Sequence, residues 1–279
     1  MKRLLAVCIL CGLLVTQVAY ATPPGNQSSW SLTFSDEFDG TTLDTTKWAT
    51  TLSDGGRQEG GTSTWVDGAS YHVVSSGTLK LVCSNQTNCG MISGHNGFNQ
   101  MYGYFEASMK LPKGQGMWPA FWLMPKSSNN SWLWPPEIDI MENLGANTNL
   151  VYMTNHYSGN YPGTGGSNLS EGGTYSGPDY SAGFHTFAVL WDSTQIVWYI
   201  DNVQRYKVTD HVPIAGHGFP GMYIILNNST GSNLWGGPPD SSTVFPNQLE
   251  IEYVRVYQAV STPPSSAPSA PTGLHVAQP

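Results

Sequence analysis

The stretch Glu137-Ile-Asp-Ile-Met-Glu142 puts three carboxylates within six residues. In an extended strand successive side chains alternate faces, so Glu137 and Asp139 point the same way, while Glu142 would ordinarily point the other way. A one-residue bulge at Ile140–Met141 would return Glu142 to the shared face. Carboxylates crowded in this way push their pKa values apart. Double-displacement cleavage of a glycosidic bond needs that separation: one ionised nucleophile and one protonated acid, roughly 5 Å apart. In such chemistry Glu137 is the candidate nucleophile and Glu142 the candidate acid, which later deprotonates the incoming water. Asp139 hydrogen-bonds the glutamates and holds their protonation states apart. Four effective strand steps separate the two glutamate Cα atoms by roughly 13 Å, so both side chains have to lean inward. The alternative is an exposed acidic strand whose charges are only solvated.

Trp118, Trp122, Trp132 and Trp134 precede the acids. Sugar rings stack on flat aromatic faces, but tryptophan in a sandwich core is an equally ordinary fate; about half of the four are expected at the cleft. Three carboxylates could hold a hard cation through oxygen. That reading is disfavoured, because no partner histidine or second acidic cluster follows at ligand spacing.

The elements that must position these groups read as strands. Tyr71–Val82, Tyr102–Leu111, Val151–Tyr157, His185–Trp191, Gln195–Ile200, Gln204–Val208, Gly221–Leu226 and Leu249–Tyr257 are β-like runs, and Asp201-Asn202 is a tight hairpin turn. No segment keeps a helical period for long, and 31 glycines with only 11% charged residues suit a loop-rich sandwich. Two antiparallel sheets packed as a jelly roll, one curved into a cleft, are expected.

Residues 1–21 read as a secretory signal: Lys2-Arg3, the apolar run to Val15, then Ala19-Tyr-Ala21. Loss of Lys2 and Arg3 leaves nine basic residues against 19 acidic ones, a mature net charge of about −10. Nucleic acid and anionic membranes are poor partners for that surface, and so are heavily sulfated polysaccharides. Cys8 and Cys11 leave with the signal; Cys83 and Cys89 remain in an exported chain and are expected to pair. Residues 22–258 are expected to form one all-β jelly-roll domain and 259–269 a Pro/Ser-rich linker. Residues 270–279 look like the first strand of a fibronectin type III domain; a plain tail is the alternative.

Beyond these local signals, the chain from about Phe34 to Tyr257 resembles glycoside hydrolase family 16, in its laminarinase-like branch. The resemblance is carried by Phe34-Ser-Asp-Glu-Phe38, Gly103-Tyr-Phe-Glu106, Leu111-Pro-Lys-Gly-Gln-Gly116, Trp118-Pro-Ala-Phe-Trp122, the acidic strand, Thr154-Asn-His156, Phe184-His185, Trp191, Ile225-Leu-Asn227 and Tyr253-Val-Arg-Val-Tyr257. It implies a concanavalin-like jelly roll with a concave substrate cleft and endo-acting hydrolysis by retention. It also implies the same roles for Glu137, Asp139 and Glu142, Trp118 against the sugar at the cleavage point, and His156 close to the acid/base Glu142. No cofactor is expected for catalysis, and the chain is expected to act as a monomer on a β-glucan.

The sequence departs from the family at several places. Pro136, after Pro135, stands where relatives have glycine before the first catalytic glutamate. Gly61-Thr-Ser-Thr-Trp-Val-Asp-Gly68 replaces an Asn-x-Glu-x-Gln run, and Ser93-Gly-His-Asn96 lacks an arginine common in relatives. Trp65 and His95 are therefore suspected of taking over sugar contacts, and Trp122, Trp134, Asn227 and Trp235 are further candidate subsite residues. The resemblance also implies a structural calcium ion at Glu37, the Gly77 backbone and Glu252. The alternative there is that Glu37 and Glu252 are salt-bridged or solvated. The expected substrates are β-1,3- or mixed β-1,3/1,4-glucans; an agarase-like galactan hydrolase, a transglycosylase and a non-catalytic glycan-binding jelly roll are the alternatives.

Overall fold

The computed structural model describes residues 22–58, 60–126 and 133–260. The proposed leader, Trp132 and residues 261–279 lie outside them. Two antiparallel sheets pack face to face, as expected from the strand-like runs. The outer sheet runs, in spatial order, Val203–Val208, Ile196–Ile200, His185–Trp191, Gly103–Lys110, Asn247–Ala259, Thr78–Cys83 and His72–Ser75, with Trp30–Asp36 also paired to Asn247–Ala259. The inner sheet runs Asn168–Ser176, Leu150–Ser158, Glu137–Asn143, Ala120–Pro125, Met222–Asn227 and Met91–Ser93. Among the described residues the helical content is one 3-10 turn, Gln27–Ser29.

Between the sheets, side chains of one parity from each strand form the core: Phe105, Ala107 and Met109 from the outer sheet meet Phe121, Leu123, Ile138, Met141, Val151, Met153, Ile224 and Leu226 from the inner one. The opposite parity of the inner sheet is also covered. Ala120, Trp122, Met124, Tyr223 and Ile225 pack with Trp65, Met91 and the Cys83–Cys89 disulfide in a second apolar cluster. With both faces buried, Ala120–Pro125 and Met222–Asn227 are buried at every position. A strand covered on two sides loses the apolar/polar alternation by which strands are recognised; Met222–Asn227 stayed legible through Tyr223-Ile-Ile225, whereas Ala120–Pro125 has no β-branched residue and was missed.

One expected strand proves to be two. Tyr71–Val82 folds as the hairpin His72–Ser75 and Thr78–Cys83, turning at Ser76 and Gly77, whose φ values are 57° and 71°. Two successive positive φ angles define the hairpin turn that matches strand twist, so Ser-Gly was the signal overlooked. Asp201-Asn202, with φ of 51° and 63°, turns as expected.

The outer face of the outer sheet holds a buried carboxyl, Glu106, across from Arg255. Burial pushes it up to about 7, while the hydroxyls of Tyr253 and Tyr104 and the charge of Arg255 pull the other way. A carboxyl whose folded pKa lies above its unfolded value gives stability that is complete below the unfolded pKa and is lost as pH rises through the folded one. Glu106→Gln, which mimics the protonated form, is therefore expected to melt with wild type near pH 4 and above it near pH 8. The difference at the higher pH is on the order of 3 kcal/mol. Calorimetry at the two pH values checks this, and equal melting temperatures at pH 8 would contradict it.

Candidate active site

The bulge in the acidic strand is present. On one side Trp122 faces Asp139, Phe121 faces Met141 and Ala120 faces Glu142, so Ile140 has no residue opposite. On the other side Tyr152 faces Glu142 and Thr154 faces Asp139, leaving Met153 alone against Ile140 and Met141. The extra residue places Glu137, Asp139 and Glu142 on one face, turned away from the core. The Asp139 carbonyl at the bulge accepts a 2.8 Å hydrogen bond from Trp198 Nε1, which reaches across from the outer sheet.

These three acids line a cavity of about 550 Å³ together with Trp65, Trp118, Trp122, Trp134, His156, Asn227 and Trp235. Trp118 Nε1 donates to Glu142 Oε1 at 2.8 Å, and Trp134 Nε1 donates to Glu137 Oε2 at 2.7 Å. His156 Nε2 stands 3.1 Å from Asp139 Oδ2 and 3.8 Å from Glu137 Oε1. The antiparallel register sets His156 opposite Glu137 and Tyr152 opposite Glu142, while His156 still acts through its charge on Glu142 in the same cavity. The pairing also supplies the histidine that the sequence does not offer at ligand spacing. Glu137, Asp139 and His156 bring one ligand-capable atom each within 4.8 Å of one another.

Burial raises Glu137 well above the ordinary glutamate range; the charge of Asp139 adds to this and His156 opposes it. Glu142 is also raised by burial, against the bond from Trp118 and the influence of His156. A proton retained on Glu142 is what a leaving oxygen requires. Glu137 shares a hydrogen bond with Asp139, a neighbour able to hold the proton that a nucleophile must shed.

The aromatic residues divide by exposure. Trp65 and Trp122 line the cavity yet are almost fully buried. Trp122 Nε1 donates to Asn227 Oδ1 at 2.8 Å, Asn227 Nδ2 donates to Ser229 Oγ, and Trp65 Nε1 donates to the same Oγ, each at 2.9 Å. Asn227 thus ties two indoles together through Ser229, a residue the sequence reading missed because a lone serine after a strand carries no signal. Trp118, Trp134 and Trp235 show more of their rings, and Trp235 packs edge-on against Tyr152 at 5.0 Å. Gly60, with φ +62°, lies so close over Trp118 that a Cβ would sit 2.9 Å from its ring. Ala120, Thr154 and Ser170 also line the cavity; His156 and Thr154 share a parity on one strand, which made Thr154 findable.

Two sets of residues stand elsewhere. His95 is outside the cavity lining: its Nδ1 bonds Ser93 Oγ at 2.7 Å and its ring meets Tyr223 edge-on at 5.9 Å. The strand before His95 ends at Ser93, opposite Ile225, so His95 comes beside Tyr223 rather than beside the acids. Glu37 and Glu252, expected with Gly77 around calcium, are engaged by other groups. Both Glu37 oxygens accept from Arg255, at 2.9 and 2.7 Å, and Glu252 Oε2 accepts from Ser108 at 2.6 Å. A cation at Glu37 would have to compete with a guanidinium for the same carboxylate, so this donor set does not fit calcium as it stands.

The model of glycosyl hydrolases family 16 matches residues 60–255. The chain is similar to the glucan endo-1,3-beta-glucosidase A1 of Niallia circulans, with 31% identity over 82% of this chain and 38% of that protein. It is also similar to the endo-1,3-1,4-beta-glycanase ExsH of Rhizobium meliloti, with 30% identity over 83% of this chain and 52% of that protein. The chain therefore spans about half, or less, of the length of these relatives. The solved catalytic domain of an endo-1,3-beta-glucanase (laminarinase) from Thermotoga petrophila superposes with a TM-score of 0.68 at 29% identity, covering 82% of this chain and 98% of that one.

Proposed function

This chain belongs to glycosyl hydrolases family 16, and we propose that it is an exported, retaining endo-β-glucanase acting on β-1,3- or mixed β-1,3/1,4-glucans. The observation that carries the proposal is the bulged strand, which turns Glu137, Asp139 and Glu142 into one cavity walled by indoles. In the first step Glu137 attacks the anomeric carbon, the glycosidic bond breaks, and the leaving oxygen takes the proton of Glu142. In the second, Glu142 accepts a proton from water, whose oxygen displaces Glu137 and restores the starting configuration. Asp139 takes the proton from Glu137 before attack, and His156 opposes the accumulation of negative charge.

The cavity lining includes neither lysine nor arginine among the described residues, which favours a neutral polysaccharide over a sulfated one. Exported status rests on the signal-like residues 1–21, and the bulge favours the β-1,3-acting branch, whose strand the sequence resembles.

The test is a product profile of purified protein on laminarin, lichenan and agarose in parallel. Oligosaccharides from laminarin, with or without lichenan products, are the expected result. Products from agarose alone would move the substrate to a galactan while keeping the mechanism. No products from any of the three would overturn the glucanase proposal.

A further inference from the structure

Trp134 was expected as a surface for sugar stacking, yet its indole edge is already engaged. Nε1 donates to Glu137 Oε2 at 2.7 Å, and the ring stands 6.3 Å from that of His156, tilted by 43°. Building on the nucleophile assignment above, we propose that Trp134 is a positioning residue, its N–H fixing Oε2 of Glu137 so that Oε1 is the oxygen presented to the anomeric carbon.

Three physical arguments support this. The terminal torsion of a glutamate is broad, so an untethered carboxylate distributes both oxygens over many orientations; one short N–H bond removes most of that freedom. A donor to a carboxylate also favours its ionised form. The indole does so as a neutral group, in a site where Asp139 and Glu142 on the same strand and His156 on the next already surround Glu137. The third argument concerns the Pro135-Pro136 entry, where the sequence departs from its family. Both prolines have φ fixed near −65°, and a residue before proline is confined to extended backbone. Between Trp134 and Glu137 the chain thus has few free torsions, and the indole is delivered to the carboxylate by a stiff connector. Trp118 does the same for Glu142 from another strand entry, so each glutamate has its own indole donor.

The test compares wild type with Trp134→Phe and with a variant carrying benzothienylalanine at position 134, which keeps the bicyclic shape and lacks the N–H. The substrate is 2,4-dinitrophenyl β-laminaribioside, read as kcat, KM and kcat/KM across pH. Loss of the donor is expected to lower kcat by about tenfold to a hundredfold. The acid limb of kcat/KM should move up by about one pH unit, because the ionised nucleophile has lost a bond that favoured it. KM should change much less. A raised KM with unchanged kcat and acid limb would make Trp134 a sugar platform only and overturn the proposal, as would a benzothienyl variant indistinguishable from wild type. If the phenylalanine variant loses its cooperative thermal transition, the benzothienyl variant decides alone.

Trapping the wild type with a 2-deoxy-2-fluoro analogue and locating the label by peptide mass separates two kinds of failure. Label absent from Glu137 would remove the nucleophile assignment and this inference with it. Label on Glu137 with unchanged variant kinetics would remove only the role of Trp134.

Discussion

Glu137→Ala is expected to reduce kcat on laminarin by about 10⁴-fold or more, since a double displacement without its nucleophile has no covalent route left. The fold should persist. Glu137 is a buried carboxyl whose ionised form is disfavoured by burial and by Asp139, so its removal relieves crowding, and catalytic sites commonly trade stability for function in this way. A melting temperature equal to or above that of wild type is the expected companion result. Azide supplies a diagnostic control. A small anion can enter the space left by the side chain and attack the anomeric carbon directly, giving a glycosyl azide of inverted configuration from an activated aryl glycoside. Near wild-type hydrolysis in the alanine variant would sink the assignment, and no plausible repositioning of Asp139 could rescue it, because Asp139 faces Thr154 and Trp122 further along the strand.

The second large effect separates by substrate. Glu142→Ala should lower kcat on laminarin by about 10²- to 10⁴-fold, the range expected when a positioned general acid is lost. On a dinitrophenyl glycoside the bond-breaking step should be nearly unaffected, because that leaving group departs without protonation. The deglycosylation step still lacks its base, so a burst of dinitrophenol followed by slow turnover is expected. The structural ground is that Glu142 is held at a raised pKa by burial while Trp118 fixes one of its oxygens, leaving the other oxygen to carry the proton. Equal losses on both substrates, with no burst, would assign the acid role elsewhere.

Much of this site could be read in advance because strand geometry is local. The period of two and a single bulge suffice to predict that Glu137, Asp139 and Glu142 share a face, and the pairings around Ile140 bear that out. The Asp201-Asn202 turn was equally legible, since its backbone angles follow from two adjacent residues. The strand Ala120–Pro125 was not, because burial on both faces erases the alternation and it lacks the β-branched residues that kept the equally buried Met222–Asn227 legible. His95 misled for a different reason. It follows Met91–Ser93, the end strand of the acids' own sheet, which pairs with Met222–Asn227 and not with the acidic strand.

The sequence by itself therefore determined the chemistry available: which acids stand together, on what kind of strand, and with how many indoles within reach. Tertiary structure alone decided the partners. Register placed His156 within 3.1 Å of Asp139 and opposite Glu137, Arg255 took the Glu37 carboxylate expected to hold an ion, and Trp134 turned its N–H onto Glu137. Residue spacing fixes directions along one strand. The identity of the residue opposite depends on how two distant strands slide past each other, and that is set by the packing of the whole core.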